Sequence, residues 1–110
     1  MMMDARVVLT TVGNREEAEK IANALVEAEL AACVNIVGPI RSLYRWKGKV
    51  ENAEEFLLVV KTLAPAYDDV EEVIRELHSY ELPECIAIRV EKGSEPYLEW
   101  IEDSVKAEEQ

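Results

Sequence analysis

Two long extended segments meeting at a tight turn constrain this chain more than any other feature. Residues 31–46 and 50–62 flank Lys47-Gly48, a pair that marks a chain reversal. Gly38-Pro39 interrupts the first arm and predicts a bulge or bend there, because proline lacks a ladder donor. The second arm ends in the apolar run Phe56-Leu57-Leu58-Val59-Val60. The hairpin therefore has a buried inner half and a polar outer half. A chain of 110 residues cannot cover that outer half, so it is expected to pair with another subunit.

The remaining elements follow from local patterns. Residues 6–12 are β-branched and nearly continuous, as expected of a central strand buried on both faces. Asn14 and Glu17 form a capping-box-like pair before a helix over residues 15–29. Pro65 suits the first turn of a second helix, and Val70, Val73, Ile74 and Leu77 supply its apolar stripe. Residues 85–90 read as a fourth strand. Ser94 caps a last helix with Leu98, Ile101 and Val105 on one face. The order β-α-β-β-α-β plus a C-terminal helix predicts an α+β, ferredoxin-like sandwich, with helices on one face of a four-stranded antiparallel sheet. One domain spans residues 1–110, with an ordered core over about 5–106 and fraying expected at both ends.

Charge and motifs exclude several function classes. The net charge is −11, from 23 acidic and 12 basic residues, which disfavours nucleic acid. The first strand has no stacking aromatics and the third only Phe56, against the requirement of an RNA-binding sheet. No basic amphipathic helix or spanning apolar run points to a membrane. The first loop, Thr10-Thr11-Val12-Gly13-Asn14, lacks the Cys-x-x-Cys of a soft-metal chaperone. One histidine and four scattered glycines supply neither a nucleophile triad nor a phosphate loop, so no enzyme is expected. Cys33 and Cys85 match no disulfide or zinc spacing, and with no secretory segment the expected setting is the cytoplasm.

A few residues could carry chemistry. His78 ends the second helix, where it could bind a metal or an anion, or cap the helix and bond a carbonyl. Cys33 and Cys85 read as buried thiols. Tyr44, Trp46, Tyr80, Tyr97 and Trp100 hold most of the aromatic area, and Tyr44 and Trp46 lie on the overhanging hairpin, where an interface is expected. Arg41, Arg45, Lys49 and Lys61 stand out on an acidic chain as candidate anion holders.

Several motifs occur together in order: Ala31-Ala32-Cys33-Val34-Asn35, Ser42-Leu43-Tyr44-Arg45-Trp46-Lys47-Gly48-Lys49, Lys61-Thr62, Leu77-His78-Ser79-Tyr80-Glu81-Leu82-Pro83-Glu84 and Tyr97-Leu98-Glu99-Trp100. In this the chain resembles the CutA family of divalent-cation tolerance proteins. The resemblance implies a homotrimer similar in architecture to the PII signalling proteins, with hairpins paired across subunits. It implies binding of copper or another divalent cation, with Cys33 and His78 as metal ligands and no cofactor needed for folding. Ser79 stands where the family often has proline, and Thr10-Thr11 stands where some members carry a thiol. The alternative is a PII-like adaptor holding a small anion in inter-subunit clefts, with Tyr44, Trp46, Lys49, Lys61, Tyr80 and Trp100 as cleft residues.

Overall fold

The computed structural model describes residues 4–106. The expectations for both termini fall on residues 1–3 and 107–110, outside the described residues. The chain forms β1 (Ala5–Val12), α1 (Arg15–Glu27), β2 (Cys33–Trp46), β3 (Lys49–Leu63), a single 3-10 turn (Ala64–Ala66), α2 (Tyr67–Leu77), β4 (Ile86–Arg89) and α3 (Glu95–Ser104). The strands lie in the order β2-β3-β1-β4, and every neighbouring pair is antiparallel. This is the ferredoxin-like arrangement expected from the element order.

The main core joins one face of the sheet to α1 and α2. Val8, Val12, Leu58 and Val60 pack there against Ala18, Ile21, Leu25, Val70 and Ile74. A second cluster of Leu63, Ala66, Ile101 and Val105 fixes α3 beyond the end of β3. The stripe read in the second helix is present, with Val70 and Ile74 buried and Val73 and Leu77 packed alongside.

Three local readings need correction. β1 is central but not covered on both faces: Val8, Thr10 and Val12 are buried, whereas Val7, Leu9 and Thr11 are only half-buried. The helices occupy one side alone, so the other face of the sheet stays open within a single chain. α1 stops two residues early because Glu29 adopts a left-handed φ of 60°, and the N–H groups of Leu30 and Ala31 turn back to the Leu25 carbonyl. The capping box is half formed. Asn14 Oδ1 accepts the Glu17 N–H at 2.8 Å, but the Glu17 carboxylate is used elsewhere.

The hairpin is as long as its sequence implies and draws the molecule out to 47 Å against 25 and 24 Å in the other directions. Lys47 and Gly48 have φ values of 51° and 82°, the pair of positive angles that a two-residue turn of matching twist requires. The expected irregularity lies between Val37 and Ile40, where β2 carries an extra residue. Gly38 is required there by space, because a Cβ would stand 2.6 Å from Phe56 Cδ2. Beyond the bulge no helix covers the ladder, and Leu43 and Val50 are 64 % and 65 % exposed.

Candidate functional site

The loop after α2 is held in place by one histidine. His78 N–H closes the last turn of α2 on the Ile74 carbonyl, and its fully buried side chain then reaches across to β1. Nε2 lies 2.7 Å from the Thr11 carbonyl, so it carries the proton and donates. Nδ1 faces the Tyr80 N–H at 3.2 Å, which needs its lone pair, and Glu17 Oε2 at 3.3 Å, which would need a proton there. The Glu17 carboxylate is already engaged, accepting the Ser79 N–H at 2.8 Å and the Ser79 hydroxyl at 2.9 Å. With a proton on Nε2 alone the ring serves Thr11 and Tyr80, whereas a proton on Nδ1 would face Glu17 instead. Both ring nitrogens are then used within the chain, and His78 takes the capping role.

His78 also positions Tyr80. Their rings lie 4.7 Å apart, and the Tyr80 hydroxyl donates to Glu55 Oε2 at 2.7 Å. Burial, followed by the Glu55 carboxylate, pushes the Tyr80 phenol well above its ordinary range. Glu55 is only 6 % exposed. It sits on β3 immediately before the apolar run, on the same strand face as Leu57 and Val59, opposite the helices.

Between this loop and the hairpin lies a cavity of about 620 Å3. Tyr44 and Trp46 line it from β2, Glu55 from β3, and Tyr80, Glu81 and Glu84 from the loop. No lysine or arginine contributes to it. Of the six cleft residues named from the sequence, Tyr44, Trp46 and Tyr80 therefore share one site. The other three do not line it within one chain. Lys49 pairs with Trp46 at the hairpin tip, and Trp100 stacks on Tyr97 at 5.5 Å on α3. Lys61 donates to Asn35 Oδ1 at 2.6 Å.

Cys33 lies beside that last pair, with Sγ 3.9 Å from Asn35 Oδ1. It opposes Lys61, which in turn opposes Val7, whereas His78 bonds Thr11 at the other end of β1. Four residues of strand, about 13 Å, separate the two positions. The structure therefore does not bring Cys33 and His78 together, and no three His, Cys, Asp or Glu side chains converge as metal ligands among the described residues. Cys85 lies 3.6 Å from the Tyr67 hydroxyl, and burial pushes its thiol up, as expected of an unreactive cysteine. Tyr67 is in turn pushed up to about 12, first by that contact and then by burial.

Sequence reasoning missed the place of Glu55, Glu81 and Glu84 in this cleft and read Glu17 only as a capping partner. With 23 acidic residues no single one stands out. Only the position of Glu55 at the head of an apolar run could have marked it.

The fold and the site together define a ferredoxin-like domain with an overlong hairpin and an aromatic, carboxylate-lined cleft. The profile of the CutA1 divalent ion tolerance protein family matches residues 6–104, and the chain belongs to that family. It is 46 % identical over 98 residues to the divalent-cation tolerance protein CutA of Thermus thermophilus, covering 89 % of this chain and 95 % of that protein. It is 45 % identical over 100 residues to the chloroplastic CutA protein of Arabidopsis thaliana, covering 91 % of this chain but 55 % of that longer relative. Among solved structures, the Thermus thermophilus protein superposes with a TM-score of 0.91 at 44 % identity, covering 93 % of this chain and 99 % of that one. The CutA1 of Oryza sativa gives 0.92 at 39 % identity, covering 96 % of each. No described helix is long and apolar enough to cross a membrane.

Proposed function

We propose that the chain acts in divalent-cation tolerance as a homotrimer that binds copper through Cys33, without catalytic activity of its own. The family match over residues 6–104 carries this reading. The two edges of the sheet support a ring. They are unlike strands, β2 and β4, and continuing the antiparallel alternation sets the β2 edge of one copy against the β4 edge of the next. A contact between unlike edges is heterologous, and it forms a ring where its rotation closes. Closure would also cover the open sheet face, where Ile86 and Ile88 are about half exposed.

Cys33 is on that open face, whereas Cys85 packs against the helix-side core. Copper needs ligands besides one thiol, and a second copy of the chain brought against the open face would supply them. Reduced thiolate chemistry fits a cytoplasmic setting. The anion-binding alternative is not carried forward, because the ionisable groups of the cleft are carboxylates and tyrosines. Titration of the reduced protein with copper(I) against a competing chelator tests the site. Saturation at a fixed ratio, lost in Cys33→Ser, is expected. Weak, unsaturating uptake that is equal in both proteins would contradict it.

A further inference from the structure

Cys33 is the first residue of β2, so the turn over residues 28–32 decides where its thiol lies. That turn is fixed from three sides. The N–H groups of Leu30 and Ala31 return to the Leu25 carbonyl at 3.0 and 3.2 Å. The Lys106 N–H, just past α3, reaches the Glu29 carbonyl at 2.7 Å. From β3, the Thr62 hydroxyl donates to the Leu30 carbonyl at 2.7 Å, and the Lys61 carbonyl accepts the Ala32 N–H at 2.8 Å. Leu30 packs against the main core and Ala32 against the α3 cluster, so the turn is also seated between the two.

Thr62 is the unusual member of this set. Its side chain shares the helix-facing side of β3 with Leu58 and Val60 and is fully buried. Valine has the same shape and would bury there without a polar atom, so the hydroxyl is explained by the bond it makes. The adjacent Lys61 is the register partner of Cys33, and its Nζ donates to Asn35 Oδ1 at 2.6 Å. Lys61 and Thr62 thus grip the chain on both sides of Cys33, at Leu30, Ala32 and Asn35. The Thr62 bond is made in the interior of one chain, whatever covers the open face of the sheet.

We propose, resting on the copper reading of Cys33, that Thr62 is a positioning residue for that site and acts through the turn that leads into β2. A thiol serves a metal only while its backbone is held in place, and apparent affinity falls with the fraction of chains whose turn stays closed.

The test compares Thr62→Val, which keeps the shape and removes the donor, with Thr62→Ser, which keeps the donor. Ile74→Val, a buried change on α2, is the control for general loss of stability. Hydrogen exchange of the Leu30, Ala31 and Ala32 amides is followed by NMR on the intact, metal-free protein, relative to the amides of β1. In Thr62→Val it should be about tenfold faster, the loss of one bond to a buried carbonyl. In Thr62→Ser and Ile74→Val the ratio should stay near that of the native protein. Copper(I) titration against a competing chelator should then show affinity about three- to tenfold weaker in Thr62→Val, recovered in Thr62→Ser and unchanged in Ile74→Val. Turn amides that exchange alike in Thr62→Val and the native protein would overturn the proposal. So would faster exchange with copper affinity unchanged, or an equal loss of affinity in Ile74→Val. Copper uptake that is equal in the native protein and Cys33→Ser would overturn the copper reading and this role with it, and that failure is seen before any Thr62 variant is compared.

Discussion

The two halves of the hairpin share the same strands and the same ladder, yet differ in what stabilises them. Before the bulge, Val34 and Ile36 of β2 and Leu58 and Val60 of β3 lie against α1 and α2. Beyond it, strand continues to Trp46 with no helix beneath, and Leu43 and Val50 face solvent. Backbone pairing alone does not make a two-stranded ribbon stable, since an isolated hairpin is marginal in water. The inner half is thus a folding element, and the outer half is where the proposed homotrimer would bring copies of the chain together. The bulge at Gly38 is the joint between them.

The largest effect should come from cutting into the inner half. Leu58→Ala removes a fully buried side chain and should cost about 2–5 kcal/mol in denaturant unfolding. Leu43→Ala, the matching change in the outer half, should stay within about 0.5 kcal/mol under conditions that hold the chain apart from other copies. Equal losses would erase the distinction between the halves.

Substitution at the joint should rank next. A Cβ at Gly38 would press on the Phe56 ring, so Gly38→Ala should cost about 1–3 kcal/mol by overpacking. A thermal melt that matches the native protein would show that the ring yields freely. His78→Ala removes the bonds to the Thr11 carbonyl and the Tyr80 N–H and leaves the former unsatisfied. It should cost about 1–3 kcal/mol and speed amide exchange over residues 79–84, while the outer hairpin stays unchanged.

The smallest effect is alkaline. The folded state holds the Tyr67 proton up to about 12, against an ordinary value of 10.0. A raised folded pKa means that the associated stability is complete below the unfolded value and is lost as pH climbs from 10 towards 12. Tyr67→Phe should flatten the decline in melting temperature across that window. An identical slope in both proteins would exclude Tyr67 as its source.

Much of this was legible in the sequence because it rests on local rules. The Lys47-Gly48 turn, the Gly38-Pro39 irregularity, the Asn14 cap and the apolar stripe of α2 each follow from short-range chemistry, and each was found where it was expected. The half-buried face of β1 was not, because Val7 and Leu9 carry the same apolar signature whether a helix or another chain covers them. The grouping of the cleft residues was also hidden. Tyr44 and Trp46 share a cavity with Tyr80, whose loop is tied to β1 by the bond from His78 to Thr11, a contact across 67 positions that periodicity does not encode. Within one chain Lys61 and Trp100 lie apart from them, since strand register and helix docking decide which conspicuous residues become neighbours.

The central claim is that the outer hairpin and the open sheet face are completed by other copies of the chain. Sedimentation equilibrium on the native protein and on Leu43→Asp/Ile88→Asp tests it most directly, because both side chains are exposed within one chain and neither touches its core. The account predicts a three-chain mass for the native protein, and a single-chain mass with a folded circular dichroism spectrum for the variant. A native protein that sediments as one chain at micromolar concentration, or a variant that keeps the full assembled mass, would contradict it.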